Sequence, residues 1–304
     1  MLWNLRKRKA EVQPGGKPVV LVHVRFSLIT SHAGGSWKGQ RLSKDISEHA
    51  ARILNRERLE ARCDIFLNYS VPLLAAAHAA SSEMDIIVVV HSSSLLPDYA
   101  RSGLEEAASK HPFIRIKYFS PDEQYEIRGE LEKFLAEHCR GRTGQVIVPA
   151  LRLDDDDLLS PCYFPILKKY AIDSFVGFTV HTPRGYEALY CDGGFTAFAD
   201  MDAPKTGIGL AHIAKWCPVK EKFLNSFILP PGPHKDTDRK APVILDGSKN
   251  CILRTKHFFN DARAVRDGYS FSSSEELEMR FFKTKVDPSD SVMLSSFPVL
   301  RRKK

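Results

Sequence analysis

Apolar positions in this chain follow two rhythms, and the mixture changes after residue 153. Short apolar blocks rich in β-branched residues read as strands buried on both faces, whereas apolar positions three and four apart read as helices. Val19 to Val24, bounded by Pro18, is the first block; Asp85 to Val90 is the densest, and Phe113 to Tyr118 and Val146 to Leu153 continue the series. Pro149 removes one ladder hydrogen bond from the last of these. Between the blocks, the spacing predicts helices over Leu42 to Leu59, Ile65 to Ala80, and Pro97 to Lys110. A fourth is predicted from Ser120-Pro121-Asp122-Glu123 to about Cys139, with a capping serine, proline at the first helical position and acids in the first turn. Strands alternating with helices make a mostly parallel sheet with right-handed crossovers, and ligands of such sheets sit beyond the carboxyl ends of the strands.

Beyond the acidic run at 154–157 the pattern is less regular. Leu158 to Tyr170 and Gly207 to Trp216 read as helices, the second offering N-terminal N–H groups to an anion. Phe175 to His181, Tyr186 to Tyr190 and Cys251 to Phe258 read as strands, and 230–250 as a Pro- and Gly-rich loop. The expected organisation is a basic tail over 1–17, an α/β half over 18–157, an acceptor-side half of the same domain over 158–285, and a basic tail over 286–304.

The net charge of +7 and pI near 9.0 raise a nucleic-acid reading. Arg6-Lys7-Arg8-Lys9 and Arg301-Arg302-Lys303-Lys304 carry that excess, and the rest is nearly neutral, which argues against a nucleic-acid groove. The two clusters are either solubilising ends or a weak peripheral contact to an anionic inner membrane face, at roughly 1 kcal/mol per basic residue. Six cysteines without CxxC spacing, no signal-peptide pattern and no apolar run long enough for a bilayer point to a cytoplasmic chain.

Asp154-Asp155-Asp156-Asp157 stands where the sheet would present a ligand site. Adjacent carboxylates repel and raise one another's pKa unless something neutralises them, and a divalent cation does so. Oxygen-rich sites suit Mg2+ or Mn2+, which take one or two carboxylates together with substrate phosphates. A helix start decorated with acids is the alternative.

The segment Arg152-Leu153-Asp154-Asp155-Asp156-Asp157-Leu158 resembles the Arg-Leu-Asp-x-Asp-Asp signature of a bacterial family of rhamnosyl transferases related to GT-A-fold glycosyltransferases. Val24-Arg25-Phe26-Ser27 and His257-Phe258-Phe259-Asn260-Asp261 resemble two shorter family segments, and the likeness spans roughly 19–265. The resemblance implies a GT-A-like, Rossmann-like α/β fold and a hexosyl transfer, with rhamnose a candidate sugar, from a nucleotide-sugar to a glycan or other hydroxyl acceptor. It places Asp154 on the ribose or metal, Asp156 on the metal and Asp157 in support or on the donor sugar. Asp155 falls at the variable position, where least is expected of it. Arg152 would meet a phosphate or hold the aspartates, Arg25 would reach the diphosphate or base, and His257 would supply a third metal ligand, with His234 competing.

An inverting transfer also needs a carboxylate to take the acceptor's proton. Asp192, Asp200, Asp202 and Asp246 all lie in the second half, where an acceptor site is expected, and Asp200 and Asp202, in Phe198-Ala199-Asp200-Met201-Asp202, are slightly favoured. Two other classes remain: a nucleotidyltransferase or phosphohydrolase built on the same aspartates, and a non-catalytic carbohydrate-binding module.

Overall fold

The first predicted strand shows how the core divides. In a computed structural model, which describes residues 16–30, 46–257 and 285–301, β1 (Val19–Phe26) sits inside a sheet covered on both faces. Side chains alternate across a strand, so Val20, Val22, Val24 and Phe26 join one cluster while Val19 and Leu21 join another. The first cluster packs on α2 (Arg56–Ile65), α3 (Val71–Ala80) and α4 (Asp98–Lys110). The second packs on α5 (Ile127–His138) through Leu131 and Leu135. Each such aliphatic side chain, fully buried, contributes about 1.5–3 kcal/mol.

β1 runs parallel to β2 (Asp85–Ser93) and to β4 (Val146–Asp154), and β2 runs parallel to β3 (Ile114–Phe119). The sheet continues beyond β4 into later sequence: β9 (Leu210–Cys217) pairs antiparallel with β4, β6 (Thr179–His181) with β9, and β11 (Val243–Leu245) runs parallel to β6. A short β10 (Lys222–Phe223) hangs on β9. The sheet is therefore mostly parallel, with helices on both faces, and draws strands from both sides of the acidic run.

A second sheet gathers β5 (Leu158–Leu159), β12 (Ile252–Lys256), β7 (Arg184–Cys191), β8 (Gly194–Asp202) and β13 (Lys285–Val286) in that spatial order. It packs on α2 and α3 through Leu158, Tyr186, Tyr190 and Leu253 against Ile65, Tyr69 and Leu73.

Several expected elements take a different form. Gly207 to Trp216 is β9 rather than a helix: flanked by β4 and β6 and buried along most of its length, it carries the apolar density of a central strand. Gly209 has φ +74°, and a Cβ there would lie 2.7 Å from Ile252 Cγ2, so glycine is required. The anion site assigned to that helix start is withdrawn with the helix. Leu158 and Leu159 pair with β12, leaving only α6 (Tyr163–Lys168) of the helix expected there.

The helix expected from Ser120 starts at Ile127, because the Glu126 side chain caps Arg128 and Gly129 N–H while Ser120 closes a turn with Glu123. Asn55 caps Arg58 N–H and so divides the expected 42–59 helix into α1 (Ile46–Ile53) and α2. A π-turn over Phe66–Ser70 joins α2 to α3. Pro149 is tolerated because pairing with β1 begins only at Ala150. From 286 onward the chain is packed up to Arg301: α7 (Ser291–Ser296) buries Met293, and Phe297 meets the Tyr186 ring at 6.1 Å. The N-terminal basic cluster and Arg302-Lys303-Lys304 lie outside the described residues. Among the described residues no helix is long and apolar enough to cross a membrane.

Candidate active site

The acidic run is a tight turn at the carboxyl end of β4, closed by Asp157 N–H donating to the Asp154 carbonyl at 3.1 Å. Because a turn points successive side chains in different directions, the four aspartates have different surroundings.

Asp154 is the most open, with its side chain 44% exposed. It stands in register with Arg25 on β1, whose guanidinium is 3.6 Å away, and Arg152 is 3.4 Å away on its other side. Burial raises the Asp154 pKa, but Arg152 and Arg25 outweigh it, and the carboxyl is held below its ordinary value. Burial and the neighbouring Arg152 lower the Arg25 pKa, so the two cations repel across one carboxylate. Arg25, Arg152 and Asp154 therefore meet at the carboxyl end of β4.

Asp155 and Asp156 turn inward and are 3% and 7% exposed. Arg62, from α2, pairs with Asp155 and reaches Asp156 Oδ1 at 2.9 Å. Asp155 also accepts the Ser27 N–H at 3.2 Å, which holds the end of β1 where Ser27 adopts φ +45°. Asp155 thus ties β1, β4 and α2 together, although it falls at the variable position of the signature. Asp156 Oδ2 lies 3.1 Å from His257 Nε2, so these two residues, distant in sequence, meet. Burial raises the Asp156 carboxyl, but Arg62 and the His257 hydrogen bond outweigh it and hold the pKa far below the usual range.

Asp157 accepts the Thr255 N–H at 3.1 Å from β12. Burial pushes its carboxyl well above the carboxylate range, and Asp156 and Asp154 push it further; Thr255 and Arg254 offset only part of this. The Asp157 carboxyl is thereby pushed toward its neutral form, and a nearby cation would favour the ionised one.

The crowding of Asp154, Asp156 and Asp157 in one turn is the basis for testing a divalent cation. Among the described residues no three His, Cys, Asp or Glu side chains converge at ligand spacing. A cation bound to a diphosphate needs fewer protein ligands, because phosphate and water complete its shell. The 3.1 Å between Asp156 Oδ2 and His257 Nε2 matches two adjacent ligands of one ion, which lie ~3 Å apart at ~2.1 Å bond lengths. The donor set fits Mg2+ or Mn2+ on these grounds.

The remaining candidates lie elsewhere. His234 is exposed beside Gly207 rather than beside Asp156: a Cβ at Gly207 would be 3.8 Å from His234 Nδ1 and 3.6 Å from Arg152 Nη2. Asp200 and Asp202 project from the exposed face of β8, two strands from β12, with no described hydrogen bond to the acidic turn. The charge of Asp202 reaches His181, whose Nδ1 accepts the Lys205 N–H, so Asp202 borders the 203–209 loop that approaches Arg152. Asp246 accepts from Tyr170 Oη at 2.9 Å, Lys169 Nζ at 3.3 Å and Ser248 N–H at 3.1 Å. Asp192 occupies a hairpin turn at φ +51° before Gly193. Asn260 and Asp261 of the late family segment lie outside the described residues.

Arg62 is the main residue the sequence reading missed. Arg58, Leu59, Arg62 and Ile65 share one buried helix face, and two arginines on an apolar stripe were the available signal of buried carboxylate partners.

A mostly parallel α/β sheet thus presents carboxylates and arginines at the carboxyl end of β4. The chain belongs to the family described as "Putative rhamnosyl transferase", whose model matches residues 19–269, and it is a glycosyltransferase on that ground. Among solved structures it is similar to the mannosyltransferase PcManGT from Pyrobaculum calidifontis in complex with GDP-Man and Mn2+. That match has 14% identity and a TM-score of 0.33, covering 87% of this chain and 69% of that one. It is also similar to a "putative nucleotide-diphospho-sugar transferase" from Desulfovibrio desulfuricans G20, at 11% identity and a TM-score of 0.32, covering 90% of this chain and 100% of that one. No curated protein matches the chain.

Proposed function

We propose that the protein transfers a sugar from a nucleotide-sugar to a hydroxyl acceptor with help from Mn2+ or Mg2+. The observation carrying this reading is that the β4 turn sets two arginines, Arg25 and Arg152, beside a cluster of carboxylates, Asp154, Asp156 and Asp157. A metal diphosphate carries both signs and suits that arrangement.

Arg25 and Arg152 would hold the diphosphate oxygens, and Asp154, between them, would keep both guanidinium groups aimed at the end of the strand. Asp156 and His257 would hold the cation, with Asp157 supplying further negative charge. When bound there, the cation supplies Lewis-acid stabilisation of the charge that builds on the leaving diphosphate. Arg62 holds Asp155 and Asp156 in place and favours the ionised form of Asp156, so the site needs little reorganisation as that charge develops.

For an inverting transfer the proton of the acceptor hydroxyl passes to a carboxylate. Asp202 is assigned this role ahead of Asp200 because it borders the 203–209 loop beside Arg152. Rhamnose is the candidate sugar through the family's description, and glycan hydroxyls are the candidate acceptors.

Incubation with UDP-, GDP- and dTDP-linked sugars, with and without Mn2+, tests this reading. Release of a nucleoside diphosphate together with a glycoside supports it. Pyrophosphate release would support a nucleotidyltransferase instead, and binding without turnover would support a carbohydrate-binding module.

A further inference from the structure

Two thiols meet where the segment carrying the acidic turn pairs with the strand leading to His257. Just past the β5–β12 pairing, Ser160 N–H donates to the Cys251 carbonyl at 2.9 Å. There Cys162 Sγ and Cys251 Sγ lie 3.2 Å apart. Cys251 is fully buried, while Cys162 is partly exposed. The Ser160 hydroxyl donates to the Ser296 carbonyl at 2.6 Å and lies 3.1 Å from Cys162 Sγ, which also faces the Asn250 carbonyl at 3.8 Å.

The two sulfurs differ in character. The hydrogen bond from Cys251 pulls the Cys162 thiol down to about 6 despite burial, with help from Ser160 and nearby Lys249. The same pairing and burial push Cys251 up. Burial likewise pushes Cys63 up to about 12. A partly exposed cysteine held toward its thiolate, touching a buried thiol, has the arrangement of an attacking and a resolving cysteine.

We propose that Cys162 and Cys251 form a peroxide-responsive dithiol that cross-links the segment after β5 to the start of β12. The Cys162 thiolate attacks one oxygen of hydrogen peroxide, the O–O bond breaks, and hydroxide leaves to become water, giving the Cys162 sulfenic acid. The Cys251 sulfur then attacks the Cys162 sulfur; the S–O bond breaks, the S–S bond forms, and water leaves carrying the Cys251 proton. Two thiols are oxidised and one peroxide is reduced to two waters. The sulfurs need to close from 3.2 Å to about 2.0 Å. The bridge would pin the pairing through which Thr255 holds Asp157 and His257 meets Asp156.

Treating the reduced full chain with hydrogen peroxide at neutral pH, followed by intact-mass and peptide mapping, tests the proposal. The expected product has lost two hydrogens, contains a Cys162–Cys251 linked peptide and reverts with dithiothreitol. Cys162 is also expected to react with iodoacetamide at pH 7 roughly tenfold faster than Cys63. In Cys251→Ser, Cys162 should gain oxygen without cross-linking. Oxygen uptake at Cys162 of the wild type without a cross-link, or earlier oxidation of another cysteine, would overturn the proposal. The wild-type mapping does not require the variant to fold, and the mass readout is independent of sugar transfer.

Discussion

Asp157 and Asp246 are both aspartates in the second half of the chain, each beside a strand end, and their environments oppose each other. Around Asp246, burial raises the carboxyl, but Ser248, Tyr170 and Lys169 outweigh it and hold the pKa at about 2. Around Asp157, burial acts together with two further aspartates, and the pKa rises. Acids whose partners satisfy them support structure, whereas acids gathered in surplus need a cation from elsewhere. Between these extremes, Asp155 and Asp156 share an internal cation, Arg62.

The largest expected effect breaks that internal compensation. Arg62→Met leaves two buried carboxylates without their cation and should cost about 3–5 kcal/mol in urea unfolding. Lys169→Ala, which removes an exposed partner of Asp246, should cost under about 1 kcal/mol. Equal losses in the two variants would erase the distinction. Next in size, Asp156→Asn and Asp154→Asn should each lower kcat by about 10²–10³-fold. Asp246→Asn should leave turnover near wild type in the same assay.

The parallel core was legible because each of its strands is an apolar block and each crossover helix has its own period. Gly207 to Trp216 was misread because a strand covered on both faces and a buried helix segment have the same apolar density, and pairing with β4 decided between them. The packing of Phe297 was hidden by the basic residues that follow it. Within the site, the aspartate turn with Arg152 stood out in the acidic signature, and Arg25 and His257 in two shorter segments. Arg62 did not, because its role depends on a helix crossing the carboxyl end of β4, a relation absent from local sequence. The ranking within the turn was hidden for the same reason: a turn splays neighbouring side chains, so Asp155, the variable position, became the most buried.

Acidification sharpens the comparison in another way. Burial lowers the pKa of His91, His181 and His212 to about 4, so from pH 6.5 downward the unfolded chain takes up protons that the folded chain refuses. Stability is therefore present above pH 6.5 and is lost as pH falls toward 4, by about 2 kcal/mol per histidine between pH 7 and pH 5. Asp246 stays ionised through this window, so Asp246→Asn should shift the whole stability curve without changing its slope. Thermal melts across pH 5–7 measure both.

The most direct test of the central claim is calorimetric titration of a nucleotide-sugar into wild type and Asp157→Asn, with and without Mn2+. The account predicts that Mn2+ tightens binding to the wild type, by about tenfold or more, and that most of this gain disappears in the variant. Binding equally tight without the metal, or a metal effect unchanged by Asp157→Asn, would contradict it.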